Sequence, residues 1–260
     1  MSSMPVLFIG HGSPLTAFED NQFTRSWAAM VNGIQPTAVL CVSAHWCTNG
    51  TGVTAMTSPR TIHDFHGFPD DLYQFHYSAP GSPELAHRVK QLLPSLDVVL
   101  DQHWGFDHGC WAVMKHVFPQ ADVPVVQLSI DMQRDAQWHY DLGKQLSVLR
   151  NEGTLIIGSG NIVHNLRQLD FSDSGQIFPW AQRFNDHVRQ SIESHNHHAI
   201  IQYQQGDDEL RRAAMLSVPT PDHYYPLLYV LGASTPNDPI DISLDEIVLG
   251  SIAMMSLKLG

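Results

Sequence analysis

Cysteine is scarce in this chain: Cys41, Cys47 and Cys110 are the only three in 260 residues. The number is odd and no two are spaced as a CxxC pair, which excludes a disulfide framework and a thiolate zinc site. Positive charge is also thin. Lys and Arg number 14 against 26 Asp and Glu, a formal charge of −12 with neutral histidines. A surface of that sign suits neither nucleic acid nor an anionic membrane face. The acidic residues are spread along the chain, so they read as a solvated surface rather than a tail. No apolar run approaches the about 18 residues that a membrane span needs. No basic segment followed by an apolar stretch opens the sequence, and a soluble cytoplasmic protein is expected. Internal repeats, low-complexity linkers, an HExxH zinc motif and a GxxxxGK[ST] phosphate loop are all missing.

What remains is an ordinary globular composition, 43% hydrophobic, in a length that suits one large α/β domain. Short apolar runs predict strands over residues 5–9, 37–43, 53–57, 97–100, 123–130 and 154–159. Helical spacing predicts helices over 21–31, 82–93, 108–117, 136–149, 180–194 and 210–215. Ser82 is a candidate N-cap, Gly153 a helix stop, and Pro119 limits the helix before it. Residues 225–231 are apolar throughout, so helix and strand cannot be separated there. Residues 247–257 read as a strand closing the chain. Residues 58–82 form a long loop whose aromatic content argues for order. Strands alternating with helices predict one α/β domain over residues 1–260, with a mixed, largely parallel central sheet flanked by helices.

Histidine is abundant, at 16. Three follow apolar runs: His11 after Val6-Leu7-Phe8-Ile9, His45 after Val39-Leu40-Cys41-Val42, and His164 after Leu155-Ile156-Ile157. Ligands of open α/β sheets bind beyond the carboxyl ends of the strands, so these imidazoles are placed to converge on a metal site there. Neutral imidazole is the commonest metal ligand and also a general acid/base near neutral pH. His11 sits between glycines in Gly10-His11-Gly12, where a plain turn histidine is the rival reading. His45 has a core histidine as its rival, and His223, between prolines, a loop histidine. His164 follows Gly158-Ser159-Gly160, which reads as a loop shaped around a substrate. The rival phosphate loop lacks any Lys or Arg. His108 is either a substrate-orienting donor or a helix-start histidine. His63 and His66, on the aromatic loop, are candidates for lining a pocket. His87, His116, His139, His187, His195, His197 and His198 need no role beyond helix packing or surface.

The order HGSP (11–14), SAHW (43–46), TIHDFHGFP (61–69), YxxxYxAPGSPELA (73–86), WGFDHGCWAVM (104–114), VPVVQLSID (123–131), SGNIVHNL (159–166) and PTPDHYYPLLYVLGA (219–233) resembles the bacterial 4,5-DOPA extradiol dioxygenase family. That family belongs to the class III extradiol, protocatechuate 4,5-dioxygenase-like group. The resemblance is colinear from about residue 5 to 255. It implies a non-haem Fe(II) enzyme that opens catechol rings with O2 to a muconic semialdehyde-type product. It implies one divalent metal per chain held by His11, His45 and His223. His164 is implied as acid/base or as a further ligand, and His108 as the residue that orients substrate or O2. Fe(II) is expected for turnover and Zn(II) in purified protein. The partners implied are a small-molecule catechol, L-DOPA or a relative, and O2. Whether the chain forms an oligomer stays open.

The broader class III group uses two His and one carboxylate, and His223 stands where the carboxylate is expected. A neutral ligand there leaves the site one unit more positive. The aromatic loop suggests a wall or lid over a planar ring, with His63 and Phe65 as substrate contacts. For an amino-acid tail, Asp64, Asp70, Asp71 and Arg167 are candidates, and nothing in the sequence chooses among them. Two other readings are a zinc-dependent hydrolase, which needs a carboxylate base beside the metal, and a non-catalytic binding protein on the same fold.

Overall fold

The computed structural model describes residues 3–172 and 175–260. Among the described residues the strands are β1 Val6–Gly10, β2 Ala38–Thr48, β3 Gly52–Thr54, β4 Val99–Asp101, β5 Val125–Asp131, β6 Thr154–Gly160, β7 Ile240–Leu244, β8 Ile247–Val248, β9 Ile252–Ala253 and β10 Ser256–Leu259. The α-helices among the described residues are α1 Gln22–Met30, α2 Asp70–Tyr73, α3 Pro83–Leu92, α4 His108–Val117, α5 Ala136–Leu146, α6 Val148–Asn151, α7 Pro179–Glu193, α8 His197–Ile201, α9 Asp208–Ser217 and α10 Tyr225–Ala233. The main sheet runs β4-β3-β5-β2-β6-β1-β10-β7. Its centre, β5-β2-β6-β1, is parallel, while β10 and β7 add antiparallel at one edge. The mixed, largely parallel sheet read from the sequence is therefore the one observed. Among the described residues no helix is long and apolar enough to cross a membrane.

The apolar runs are continuous because helices cover both faces of the sheet. Alternate residues of each strand enter different cores. Val6, Phe8, Leu40, Val42 and Ile156 pack into one cluster with α5 and α10. Leu7, Ile9, Val39, Cys41, Leu155 and Ile157 pack into the other, with Trp27 of α1 and Trp111 of α4. The undecided segment 225–231 is helical, as α10, and is buried along its whole length. It lies between the sheet and α5, so it has no polar face to reveal a period.

Residues 247–257 do not make one strand. Leu249 and Gly250 both take positive φ, 49° and 72°. That turn folds β8 against β9 before β10 joins the main sheet. The pattern hid the turn because the flanking residues are apolar on both sides of it. β7 is an additional strand that the sequence did not announce. The aromatic loop 58–82 contains the single turn α2 and is tied to the segment before α4 by a bridge between Thr61 and Phe106.

Candidate active site

The carboxyl ends of β1, β2 and β6 bring the chemistry together. His11 is the first residue past β1, and its backbone N–H donates to Gly160 O at 3.2 Å. His45 lies inside β2, where the pairing with β5 shifts register between Val42 and Cys47. That bulge frees His45 from the ladder and turns its ring toward His11. Bulges commonly re-aim side chains in this way.

Gly158-Ser159-Gly160 is the end of strand β6 rather than a loop. Its alternation sorts three jobs between two faces. A Cβ at Gly160 would lie 2.2 Å from His223 O, and one at Gly158 would lie 2.5 Å from Pro226 O. Only glycine lets the segment carrying His223 approach, and Asn161 N–H then donates to His223 O at 2.9 Å. Ser159 points the other way, toward His11.

Ring nitrogens of His11, His45 and His223 all lie within 4.8 Å of one another. Nε2 of His11 and Nε2 of His45 are 3.0 Å apart. The opposite nitrogen of each ring faces an oxygen, hydrogen-bonded for His11 and His223 and an ion-pair contact for His45. Ser159 Oγ donates to Gly109 O at 2.6 Å, so it accepts from His11 Nδ1–H at 3.0 Å. The Asp222 carboxylate accepts from His223 Nδ1–H. Asp64 Oδ2 lies 3.3 Å from His45 Nδ1. These contacts place the protons on Nδ1 and leave three Nε2 lone pairs facing a common point. His223 Nε2 is buried without a partner among the described residues. Buried polar nitrogens are rarely left unpaired, and metal-bound imidazoles characteristically donate their other N–H to a carboxylate, carbonyl or water. Imidazole bonds of about 2.0–2.1 Å place ligand nitrogens roughly 3.0–3.4 Å apart at one ion. The three histidines therefore fit a divalent metal. Burial, and then the charge the neighbouring imidazoles would carry, holds His11 and His45 well below the usual histidine range. They are neutral, as ligands must be.

The two carboxylates behind the rings change the charge balance expected from the sequence. Burial works against ionisation of Asp222, yet its bond to His223 outweighs this and holds it well below the usual carboxylate range. Asp64 is likewise lowered, the His108 hydrogen bond overcoming burial. A neutral ligand at position 223 thus comes with an anion attached to it. The site is not simply one unit more positive than one with a carboxylate ligand.

His108 begins α4. Its backbone N–H donates to Asp64 Oδ1 at 2.9 Å and its Nδ1–H to Asp64 Oδ2 at 2.8 Å. Its ring centroid is 3.7 Å from that of His45. Asp64, weighed in the sequence for an amino-acid tail, is fully engaged in holding two imidazoles. His45, Asp64 and His108 also lie close enough to suggest a second ion, but those carboxylate contacts make Asp64 an orienting group. Asp107 does not bond the neighbouring imidazole. It is buried and caps α4, accepting from Cys110 N–H at 3.1 Å, Ser43 Oγ at 2.6 Å and Gln127 Nε2 at 2.7 Å. It thereby pins the start of α4 to β2 and β5.

His164 stacks on His223, with centroids 3.5 Å apart and planes 6° from parallel. Neither of its ring nitrogens has a protein partner among the described residues. Burial and the adjacent His223 bring it down to about 3, so the free base faces the cavity at neutral pH.

A cavity of about 630 Å³ opens from these imidazoles and is lined by His11, His45, His108, His164 and His223 together with Phe65. His63 does not line it. His63 Nε2 bonds Phe75 O at 3.0 Å, and its ring packs on Phe65, Tyr73 and Trp111. His63 therefore packs against Phe65 from behind. Nor do His66, Asp70, Asp71 or Arg167 line the cavity. Ser159, Asp64 and Asp222 were not read as orienting groups. Only Asp222, adjacent to His223, carried a local signal.

Residues 5–235 match the family described as the catalytic LigB subunit of aromatic ring-opening dioxygenase. An Escherichia coli K12 protein named 4,5-DOPA dioxygenase extradiol is 48% identical over 262 residues, covering 99% of this chain and 95% of its own. A Beta vulgaris protein of the same name is 37% identical, covering 90% of this chain and 88% of its own. The crystal structure of an uncharacterized E. coli K12 protein superposes with a TM-score of 0.85 at 44% identity, covering 99% of this chain and 100% of that one.

Proposed function

Because this chain belongs to the LigB family of aromatic ring-opening dioxygenases, we propose that it cleaves a catechol ring with O2 in the extradiol manner, on one divalent metal held by His11, His45 and His223. L-DOPA or a related catechol is the substrate, as the names of the relatives suggest. The observation that carries the reading is the convergence of three ring nitrogens, with His11 and His223 hydrogen-bonded at Nδ1 and the Asp64 carboxylate beside Nδ1 of His45. A metal held there would supply a site for the catechol and, as Fe(II), the electron exchange with O2 that redox-inert zinc lacks. Zn(II) is the ion expected in purified protein and Fe(II) in the active one.

The chain's own residues supply the rest. His164, neutral and without a protein partner, takes a phenolic proton as substrate binds and returns it later in the reaction. General acid/base catalysis of this kind contributes about 10²–10⁴-fold. His108, fixed at Nδ1 by Asp64, presents its other nitrogen toward bound substrate or O2. Phe65 and Phe68, in edge contact with centroids 5.1 Å apart, form a wall for the planar ring and exclude water.

A hydrolase would need a carboxylate base beside the metal. Asp64 and Asp222 are both committed behind the imidazoles, and Glu19 at the rim accepts from Asn21 Nδ2 at 2.8 Å. The test is anaerobic reconstitution with Fe(II), then an O2-uptake screen over catechols with spectra taken for a yellow product. One O2 consumed per ring opened is expected. Lack of uptake with every catechol, in protein shown by elemental analysis to hold one iron per chain, overturns the proposal.

A further inference from the structure

We infer that this site is built for a catechol carrying an uncharged, apolar substituent, in preference to one carrying an amino-acid tail; this deepens the ring-cleaving reading and rests on it. The cavity is graded from inside to outside. His11 and His223 are 1% and 6% exposed at its inner end, whereas Leu166 and Phe171 at its mouth are 61% and 77% exposed. A benzene-sized ligand fits in roughly 150 Å³, so a ring set against the imidazoles leaves most of the about 630 Å³ for its substituent. Phe23, Phe68, Leu169, Val248, Ile252 and Met254 line that remaining space, and Leu249 joins the mouth.

Charge is distributed in the opposite way from what a zwitterion needs. Among the described residues no Lys or Arg lines the cavity. Arg167 sits between two residues that do, Leu166 and Leu169, yet it is exposed and outside the lining. Among the described residues, and apart from the histidines, Glu19 is the charged side chain of the lining, and it would repel a substrate carboxylate. The uncharged polar side chains bond the backbone around them, Ser13 keeping its hydroxyl hydrogen. Ser13 Oγ accepts from Leu15 N–H at 3.2 Å, and Thr16 Oγ1 donates to Ser13 O at 2.7 Å. Asn21 Oδ1 accepts from Phe23 and Thr24 N–H at 2.9 and 3.1 Å. A carboxylate brought here exchanges water for phenyl rings and a like charge. A methylene brought here gains about fourfold in binding.

The experiment uses the full chain loaded with Fe(II) and kept anaerobic, so that binding is read by calorimetry without turnover. The probes are 4-methylcatechol, 4-propylcatechol, 3-(3,4-dihydroxyphenyl)propionate, dopamine and L-DOPA. Affinity should rise about fifteenfold from the methyl to the propyl compound, the gain of two methylenes. The propionate and L-DOPA should bind at least tenfold more weakly than 4-propylcatechol, with dopamine between. Oxygen-dependent kcat/KM should follow the same order. Glu19→Gln should improve the propionate relative to 4-propylcatechol. Leu166→Arg, a change at an exposed position, should favour the propionate over the propyl compound relative to the parent. L-DOPA binding as tightly as 4-propylcatechol overturns this inference and leaves ring cleavage standing. Failure of every catechol to bind the iron form overturns both.

Discussion

Replacing Asp222 separates two things it gives His223, a hydrogen-bond acceptor and a negative charge. The pair is well shielded, with side-chain exposures of 8% for His223 and 22% for Asp222, so solvent screening takes little of the interaction away. Hydrogen bonds to a charged partner contribute about 1.5–3 kcal/mol, against about 0.5–1.5 for neutral ones. Asp222→Asn keeps an acceptor oxygen and loses the charge. The difference, about 1–1.5 kcal/mol, is roughly a tenfold weaker metal site at about 1.4 kcal/mol per tenfold. Asp222→Ala loses both and leaves a buried N–H unpaired. Its cost should approach about 3 kcal/mol, or roughly a hundredfold. Both values fall in the 10–100-fold range typical of groups that orient metal ligands. The assay is Zn(II) competition against a chromogenic chelator at constant pH above neutrality, with thermal melts of the metal-free forms to show that the fold is intact. Unchanged affinity in both variants would refute the assignment of Asp222 as the group that aims His223. An asparagine variant that binds as tightly as the parent, beside a weak alanine variant, would refute the charge argument alone.

His164→Gln should keep one metal per chain and lose about 10²–10⁴-fold in turnover, read by elemental analysis beside O2 uptake; turnover near the parent's would remove the acid/base role. Gly109→Ala places a Cβ 2.5 Å from Ser43 Oγ and 2.8 Å from His45 Cδ2, so it should displace His45 and weaken metal binding about tenfold or more, which the same competition assay measures. His139, fully buried and 2.9 Å from Tyr229 OH, is pushed down by burial to about 4. An unfolded histidine titrates near 6.5, so the unfolded chain binds more protons between those values. His139 therefore leaves stability whole above about pH 6.5 and subtracts from it as pH falls toward 4, by about 3 kcal/mol in all. In the metal-free protein His139→Gln should shrink that acid loss, as followed by urea denaturation from pH 7 to 4.5; parallel pH curves for the two proteins would contradict the argument.

Much of the scaffold was legible because buried strands and amphipathic helices carry their period in local order. Val6 to Ile9, Leu40 to Val42 and Leu155 to Ile157 could hardly be anything but inner strands. Ser82, read as a candidate N-cap, caps its helix with its side chain, and Asn21, Asp107 and Asp135, which were not read as caps, do the same. Legibility failed where local order is silent. Burial on every side erases the period of α10, and two residues at positive φ divide 247–257 without any polar break. In the site, the convergence of His11, His45 and His223 was expected from strand ends and a family likeness. The grip of Asp64 on His108 spans 44 positions along the chain, and that of Ser159 on His11 spans 148.

Sequence alone determined the alternation of strands and helices and the histidines available to hold an ion, because these follow from neighbours a few residues apart. The tertiary structure decided which nitrogen of each ring stays free, which carboxylates stand behind them, and that the space beyond is greasy and short of cations. Those properties belong to contacts between distant segments, and a chain written in one dimension does not record which of its remote side chains will touch.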